Sequence, residues 1–268
     1  MSITMTLRHL GPGPHPSGSP QSTHGDREQS PFRKATSGGD KAVAKEEPLG
    51  RGGTADGQKL TLVGDGDAVW KAWELSTPAG LQKGAMEVIA YRLWKLLGIT
   101  EFYVPETVPM KHEGKDGSVQ QWVDKVLDGY SSVRRRATPE ESAAMGLFDL
   151  LLGNWDRHDG NWLIDEGGNG RVVAIDHGLS DPGYKDIRPR LRQNDKGEWC
   201  VSPDGRLEGD HPTLLPIPRN MVKAAKSLTK EEFDAVMEDI PRADALKREL
   251  WTSIRQLANR VPIQEEGV

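Results

Sequence analysis

Asp156, Asn161 and Asp176 are the residues of this chain whose types and spacing could do chemistry together. They lie in NWDRHDGNWLIDEGGNGRVVAIDHG, residues 154–178. Asp156 stands five positions before Asn161, and Asp176 follows the strand-like run Val172–Ile175. Phosphoryl transfer with a nucleotide and magnesium needs such a set: one carboxylate to orient the acceptor hydroxyl, and an amide and a second carboxylate to hold the metal. The other reading of the Asp–Asn spacing is a polar loop around a hairpin, because Asp, Asn and Gly are common turn residues. The strand and Asp176 favour a site.

Several elements must position these groups. Trp162–Ile164 and Val172–Ile175 are short apolar runs around an Asp/Gly/Asn-rich stretch, which predicts an antiparallel hairpin turning near Gly168–Gly170. Asn161 then enters the first strand and Asp176 leaves the second, so both lie at the open end. Oxygen ligands so placed suit magnesium, which takes one or two protein groups and completes its shell with phosphates and water. Asp156, on the loop just before, is the candidate base. Thr138-Pro139-Glu140-Glu141 is a helix start, with an N-cap Thr and a Glu three residues on. That helix should run through Met145, Phe148 and Leu152 and stop at Gly153.

Upstream, Lys59–Val63 and Ala68–Trp73 are strand-like runs joined by Gly64-Asp65-Gly66-Asp67, a hairpin signal. Alternation puts Lys71 on the face of Val69 and Trp73. A lysine on an apolar face needs an anionic partner or a route to water. Met86, Ile89, Ala90, Leu93 and Leu97 recur at helical spacing, with Gly98 closing the run. Glu87 sits at the margin of that stripe and could meet Lys71 across a cleft; the alternative is an exposed glutamate on an ordinary amphipathic helix. Val104–Val108 and Ser118–Val123 look extended. Gly50, Gly52 and Gly53 form a turn that could approach phosphates, or a plain surface loop.

The 268 residues are enough for one large domain or two lobes. Residues 1–45, rich in Gly, Pro and Ser, read as a disordered tail, with order beginning near Leu49. Residues 46–125 then hold strands and one helix, and 126–268 a mainly helical half, which points to two lobes with a cleft. Thr229-Lys230-Glu231-Glu232 opens a later helix ended by Pro241, and Leu246, Leu250, Ile254 and Leu257 mark the last. Ser180–Leu215 reads as irregular and polar. The net charge of −5 argues against general nucleic-acid binding. No apolar run approaches the roughly 20 residues of a membrane span, and Cys200 is the single cysteine, compatible with a reducing compartment; the expected location is cytoplasmic. The eight tryptophans read as core or cleft wall.

Asp156-Arg157-His158-Asp159-Gly160-Asn161, followed by Ile175-Asp176-His177-Gly178, resembles the catalytic core of phosphatidylinositol 3-/4-kinase-like proteins; HipA-type serine/threonine kinases carry a similar core. The resemblance covers about residues 48–260 and implies an α+β, two-lobed protein-kinase-like fold, with a small antiparallel-sheet N-lobe carrying one key helix and a mainly helical C-lobe. It implies that Gly52 and Gly53 cover the phosphates of ATP, that Lys71 binds them with Glu87 as its partner, and that backbone groups of Gln121, Trp122 and Val123 hold adenine. Asp156 becomes the base, and Asn161 and Asp176 the magnesium ligands. His158 matches the histidine of the motif and either contacts the transferring phosphate or braces the loop, while Arg157 fixes the loop through backbone or carboxylate contacts. Two departures stand out: there is no clean G-x-G-x-x-G, and His177 rather than Phe follows Asp176.

The resulting expectation is an ATP- and Mg2+-dependent kinase with a hydroxyl acceptor, protein Ser/Thr slightly favoured over inositol lipid. Arg134–Arg136 and the cluster Arg188, Arg190 and Arg192 could hold an anionic acceptor or be solvated surface. The competing classes are a kinase-like module that works through partners without turnover, and a metallohydrolase built on Asp156, His158, Asp176 and His177.

Overall fold

Alternating burial builds the first half of the molecule. In this computed structural model, residues 31–37, 39, 43–48, 57–63, 66–74, 78–123, 126–127, 136–166, 170–183, 190–202, 214–240 and 243–262 are described. The Gly50–Gly53 turn, Arg134, Arg135, Arg188 and most of the segment read as a tail lie outside them. Strands β1 (Val43–Pro48), β2 (Gly57–Leu62), β3 (Gly66–Ala72), β4 (Thr107–His112) and β5 (Lys115–Gln121) form one antiparallel sheet in the order β1-β2-β3-β5-β4. Leu60 and Leu62 of β2, Ala68 and Trp70 of β3, Val108 and Met110 of β4 and Val119 of β5 share one buried face. Lys71, between Trp70 and Ala72, turns to the other.

Order begins before Leu49. A short helix α1 (Pro31–Thr36) precedes the sheet, and its Phe32 is buried with the sheet's apolar face. Strand β1 reads VAKEEP and is exposed along nearly its whole length. Edge strands are commonly charged in this way, and that charge hides the strand from a search for apolar periodicity.

Helix α2 (Pro78–Leu96) packs on β4 and β5. Its Met86, Ile89, Ala90, Leu93 and the following Leu97 enter the main core. That core continues through helix α3 (Pro139–Leu152) into the second half of the chain. Helix α3 has the expected capping box on Thr138 and ends on Gly153 in the left-handed region, φ 65°. Strands β6 (Val126–Leu127), β7 (Trp162–Asp165) and β8 (Val172–Ala174) make a small sheet, with Trp162 opposite Ala174 and Ile164 opposite Val172. The hairpin predicted for the site is therefore present.

The stretch Ser180–Leu215 departs from its reading as irregular. It contains β9 (Arg190–Gln193) and β10 (Trp199–Ser202), which pair with β11 (Leu215–Pro216) in a three-stranded sheet that lies on α3. The strands are two to four residues long, with Arg190 and Arg192 on β9 and the buried Cys200 and Val201 on β10. That is too short for a period to register. Helices α4 (Arg219–Ser227), α5 (Lys230–Met237) and α6 (Asp244–Arg260) complete the chain. The first was unexpected because it lacks a side-chain N-cap and buries only Met221, Val222 and Ala225. The whole is α+β and two-lobed, with a small antiparallel sheet, the short α1 and the long α2 described in the first lobe and a mainly helical second lobe. No helix among the described residues is long and apolar enough to cross a membrane.

Candidate active site

Lys71 is where the two lobes meet. Its Nζ donates to Glu87 Oε1 at 2.8 Å and to Asp176 Oδ1 at 3.0 Å. Strand alternation supplies the direction of Lys71, and the helix period supplies that of Glu87. Close approach of the two elements depends on Gly84. A Cβ there would lie 1.9 Å from the Trp73 ring, so only glycine lets α2 settle against the end of β3. Glu87 is not the exposed residue of the alternative reading but is buried. Its second oxygen, Oε2, accepts from the His177 N–H at 3.1 Å.

The electrostatics follow from these contacts. Burial alone would lower the Lys71 ammonium, but Glu87 and Asp176 together raise it above the ordinary lysine range. Burial alone would raise the Glu87 carboxyl, and the charge and hydrogen bond of Lys71, with the His177 N–H, hold it below its ordinary range. Both groups are thereby kept charged.

A second network holds the loop. Arg157 donates from Nε to Asp149 Oδ2 at 3.0 Å and from Nη2 to Asp149 Oδ1 at 3.0 Å, a two-point pairing. Its Nη1 donates to Asn161 O at 2.9 Å and Ile175 O at 2.7 Å, tying both strands of the hairpin at its open end. This matches the loop-fixing part expected of Arg157. Nη2 also lies 3.0 Å from His177 Nδ1. A guanidinium can only donate, so Nδ1 is the accepting nitrogen and the ring is neutral with its proton on Nε2, which lies 3.4 Å from Ala174 O. Burial, then the Arg157 charge, push the His177 pKa well below its usual value.

Asp149 and Asn154 were not singled out in the sequence, and His177 was noted there without its buried, loop-bracing place. Asn154 donates to Asp149 Oδ1 at 3.0 Å and accepts the Asp156 N–H at 3.0 Å. It thereby sets the backbone that presents Asp156. Asp149 did leave a signal: it is the one charge in Leu147-Phe148-Asp149-Leu150-Leu151-Leu152, and a carboxylate in such a run needs a buried partner. Gly153 lets the helix end meet the segment that follows the hairpin, since a Cβ would lie 1.7 Å from Asp181 O.

Asp156 is half-buried. Its carbonyl accepts from the His158 N–H at 2.7 Å and from Asn161 Nδ2 at 3.0 Å. With its amide nitrogen spent on the loop, Asn161 keeps Oδ1 as the donor atom for a cation. Asp176 adopts the left-handed region, φ 57°, uncommon outside glycine. This turn lets its carboxylate reach Lys71 while the next residue runs into the core. His158 is exposed; its Nδ1 accepts from the Gly160 N–H at 3.1 Å, a loop-bracing contact, and its Nε2 lies 4.0 Å from Asp156 Oδ2. The Gln121 and Trp122 N–H groups donate to Glu106 O at 2.8 Å and Asp67 O at 3.0 Å, so both are committed to the sheet. Trp122 carries Lys59 over its ring at 4.7 Å.

The metallohydrolase set does not assemble. His177 is buried with its nitrogens facing Arg157 and Ala174, and His158 points to solvent. Among the described residues, the group of His, Cys, Asp or Glu side chains with donor atoms all within 4.8 Å of one another is Glu46, His112 and Glu113, away from this loop.

No curated protein matches the chain. Two solved structures are similar over 81% of it. The Helicobacter pylori proinflammatory kinase CtkA, 14% identical, is covered over 93% of its own length with a TM-score of 0.47. The Golgi casein kinase, 13% identical, is covered over 71% with a TM-score of 0.48. Residues 99–185, which contain Asp156, His158, Asn161 and Asp176, match the family model described as Phosphatidylinositol 3- and 4-kinase, so this part of the chain is similar to that family.

Proposed function

We propose that the protein is an ATP- and magnesium-dependent kinase that transfers the γ-phosphoryl group to a hydroxyl, with a protein serine or threonine favoured over an inositol lipid. The observation that carries this reading is the position of Lys71, between the helix carboxylate Glu87 and the hairpin carboxylate Asp176. A cation so held, with one side open to the cleft, suits the phosphates of a nucleotide.

Asn161 and Asp176 are the residues that would hold magnesium. They fit it: both offer hard oxygens, and the Asn161 amide nitrogen is already turned to the Asp156 carbonyl. The ion, when bound, neutralises charge on the phosphates. Lys71, fixed by Glu87, orients them. The same reading assigns Gly52 and Gly53, which lie outside the described residues, to the phosphates. Adenine lies beside Gln121–Val123; with the Gln121 and Trp122 amides spent on the sheet, the amide contact falls to Val123. Asp156 aligns the acceptor hydroxyl and receives its proton. A bond forms between the acceptor oxygen and the γ-phosphorus as the bond to the bridging oxygen breaks, and ADP leaves. His158 sits beside Asp156, close enough to touch the transferring group or to steady the loop.

The net charge of −5 supports the protein acceptor, because inositol-lipid surfaces are anionic and repel an acidic chain. The test is incubation with magnesium and γ-labelled ATP, with a protein panel or inositol-lipid vesicles, beside Asp176→Ala. Label transfer to protein that disappears in the variant is the expected result. Nucleotide binding without turnover would replace the enzyme by a binding module, and transfer to vesicles alone would reverse the acceptor preference.

A further inference from the structure

Helix α2 has a front and a rear. Its front hold on the site consists of Glu87 against Lys71 and the His177 N–H. Lys71 and Asp176 are also the groups that a nucleotide and its metal would engage, so the Lys71–Asp176 contact would give way when the site fills. A helix held only there would shift with each exchange.

The rear hold is made by Arg92, five residues after Glu87 and about 140° around the helix. Arg92 is buried. Its Nη1 donates to Val236 O at 2.8 Å and to Asp239 Oδ1. Both acceptors belong to the end of helix α5 and the turn after it, against which α2 packs. The other oxygen of the same carboxylate, Asp239 Oδ2, accepts from Arg33 Nη2 at 3.3 Å. Arg33 follows Phe32, which is anchored in the sheet's apolar face. One carboxylate of the second lobe thus gathers α1, α2 and α5. Arg92 Nη2 is buried without a partner among the described residues, so loss of Asp239 would leave the guanidinium with the Val236 carbonyl alone.

We propose that Asp239 is a positioning residue for the phosphotransfer site: acting through Arg92, it clasps helix α2 to the second lobe and keeps Glu87 beside Lys71 while the Lys71–Asp176 contact changes. The purpose of the clasp rests on the kinase reading; the clasp itself does not.

The experiment is hydrogen–deuterium exchange on the full chain, read separately over α2 and α6, for wild type, Asp239→Ala, Asp239→Asn and Asp239→Glu. Asp239→Ala is expected to speed exchange in residues 85–96 about tenfold while α6 is unchanged, and Asp239→Glu to restore protection. Label transfer from ATP should fall in the alanine variant, with KM for ATP rising, and recover in the glutamate variant. Exchange in α2 equal to wild type, or a rise shared equally by α6, would overturn the proposal. Should Asp239→Ala fail to fold, Asp239→Asn, which keeps the shape and removes the charge, decides by the same criterion. Absence of label transfer in the wild type would defeat the kinase reading alone, since the exchange pattern tests the clasp without ATP.

Discussion

Two ionic clusters flank the β7–β8 hairpin, and they are built differently. Arg157 and Asp149 face each other with side chains only 8% and 2% exposed, at two points of contact. Lys71 and Asp176, on the cleft side, are 23% and 33% exposed, while Glu87 behind them is buried. The sealed pair has every donor occupied by protein: a carboxylate, two carbonyls and a histidine nitrogen. The open pair leaves an edge to the cleft. Burial dominates at Asp149 and raises its carboxyl despite Arg157, whereas Lys71 overcomes burial at Glu87 and lowers it. The contrast separates scaffold from site: charges that hold the loop are shut in, and charges available for exchange are held from behind and left accessible in front.

The largest effect should come from breaking the sealed pair. Arg157→Ala leaves Asp149 as a buried carboxylate without its counter-charge and frees both hairpin carbonyls, so urea unfolding should show a loss of about 3–5 kcal/mol. A loss below about 1 kcal/mol would mean that the loop does not depend on this pair.

Lys71→Met should cost less, about 1–3 kcal/mol, because Asp176 is partly solvated and the buried Glu87 keeps the His177 N–H, while use of ATP should collapse. The deficit should also depend on pH. The raised Lys71 contributes stability that is complete below the ordinary lysine range and lost as pH climbs through its folded value. The lowered Glu87 contributes stability present above the ordinary carboxylate range and lost as pH falls through its folded value. The gap between wild type and Lys71→Met should therefore be widest between about pH 5 and 10 and narrow on both sides. A flat difference from pH 3 to 11, measured by urea midpoints, would show that Lys71 acts through packing alone.

The smallest effect belongs to Arg136, whose pair with Glu166 spans 3.6 Å with both side chains about half exposed. Arg136→Ala should stay within about 0.5 kcal/mol of wild type in the same unfolding assay. A larger loss would erase the distinction drawn between sealed and surface pairs.

Local signals made much of this legible in the sequence. The Thr138 and Thr229 capping boxes, the Gly153 stop and the β7–β8 pairing are consequences of residues close to one another in the chain, and each occurs as expected. Lys71 and Glu87 were also placed correctly, because alternation and the helical period assign a face to each. The misses are long-range or short. Asp149 and His177 gain their meaning from Arg157, which no periodicity connects to them. Strand β1 is charged because it is an edge, and β9–β11 are too brief to show a pattern. Asp239, more than 140 residues from Arg92, looks in sequence like any acidic residue at a helix end.

Tyr103 lies in the connection between α2 and β4, yet its main chain is bonded to the second lobe. Its N–H donates to Val172 O and its carbonyl accepts from the Ala174 N–H, both at 2.8 Å, as a parallel bridge to Val173. Its hydroxyl donates to Gln121 Oε1 at 2.9 Å. A single residue thus rivets the back of the cleft to the strand that ends at Gln121. For the two halves to part without breaking main-chain bonds, they must turn about this rivet as a fulcrum. Any widening of the cleft would then be greatest at the side farthest from Tyr103, as between the blades of shears.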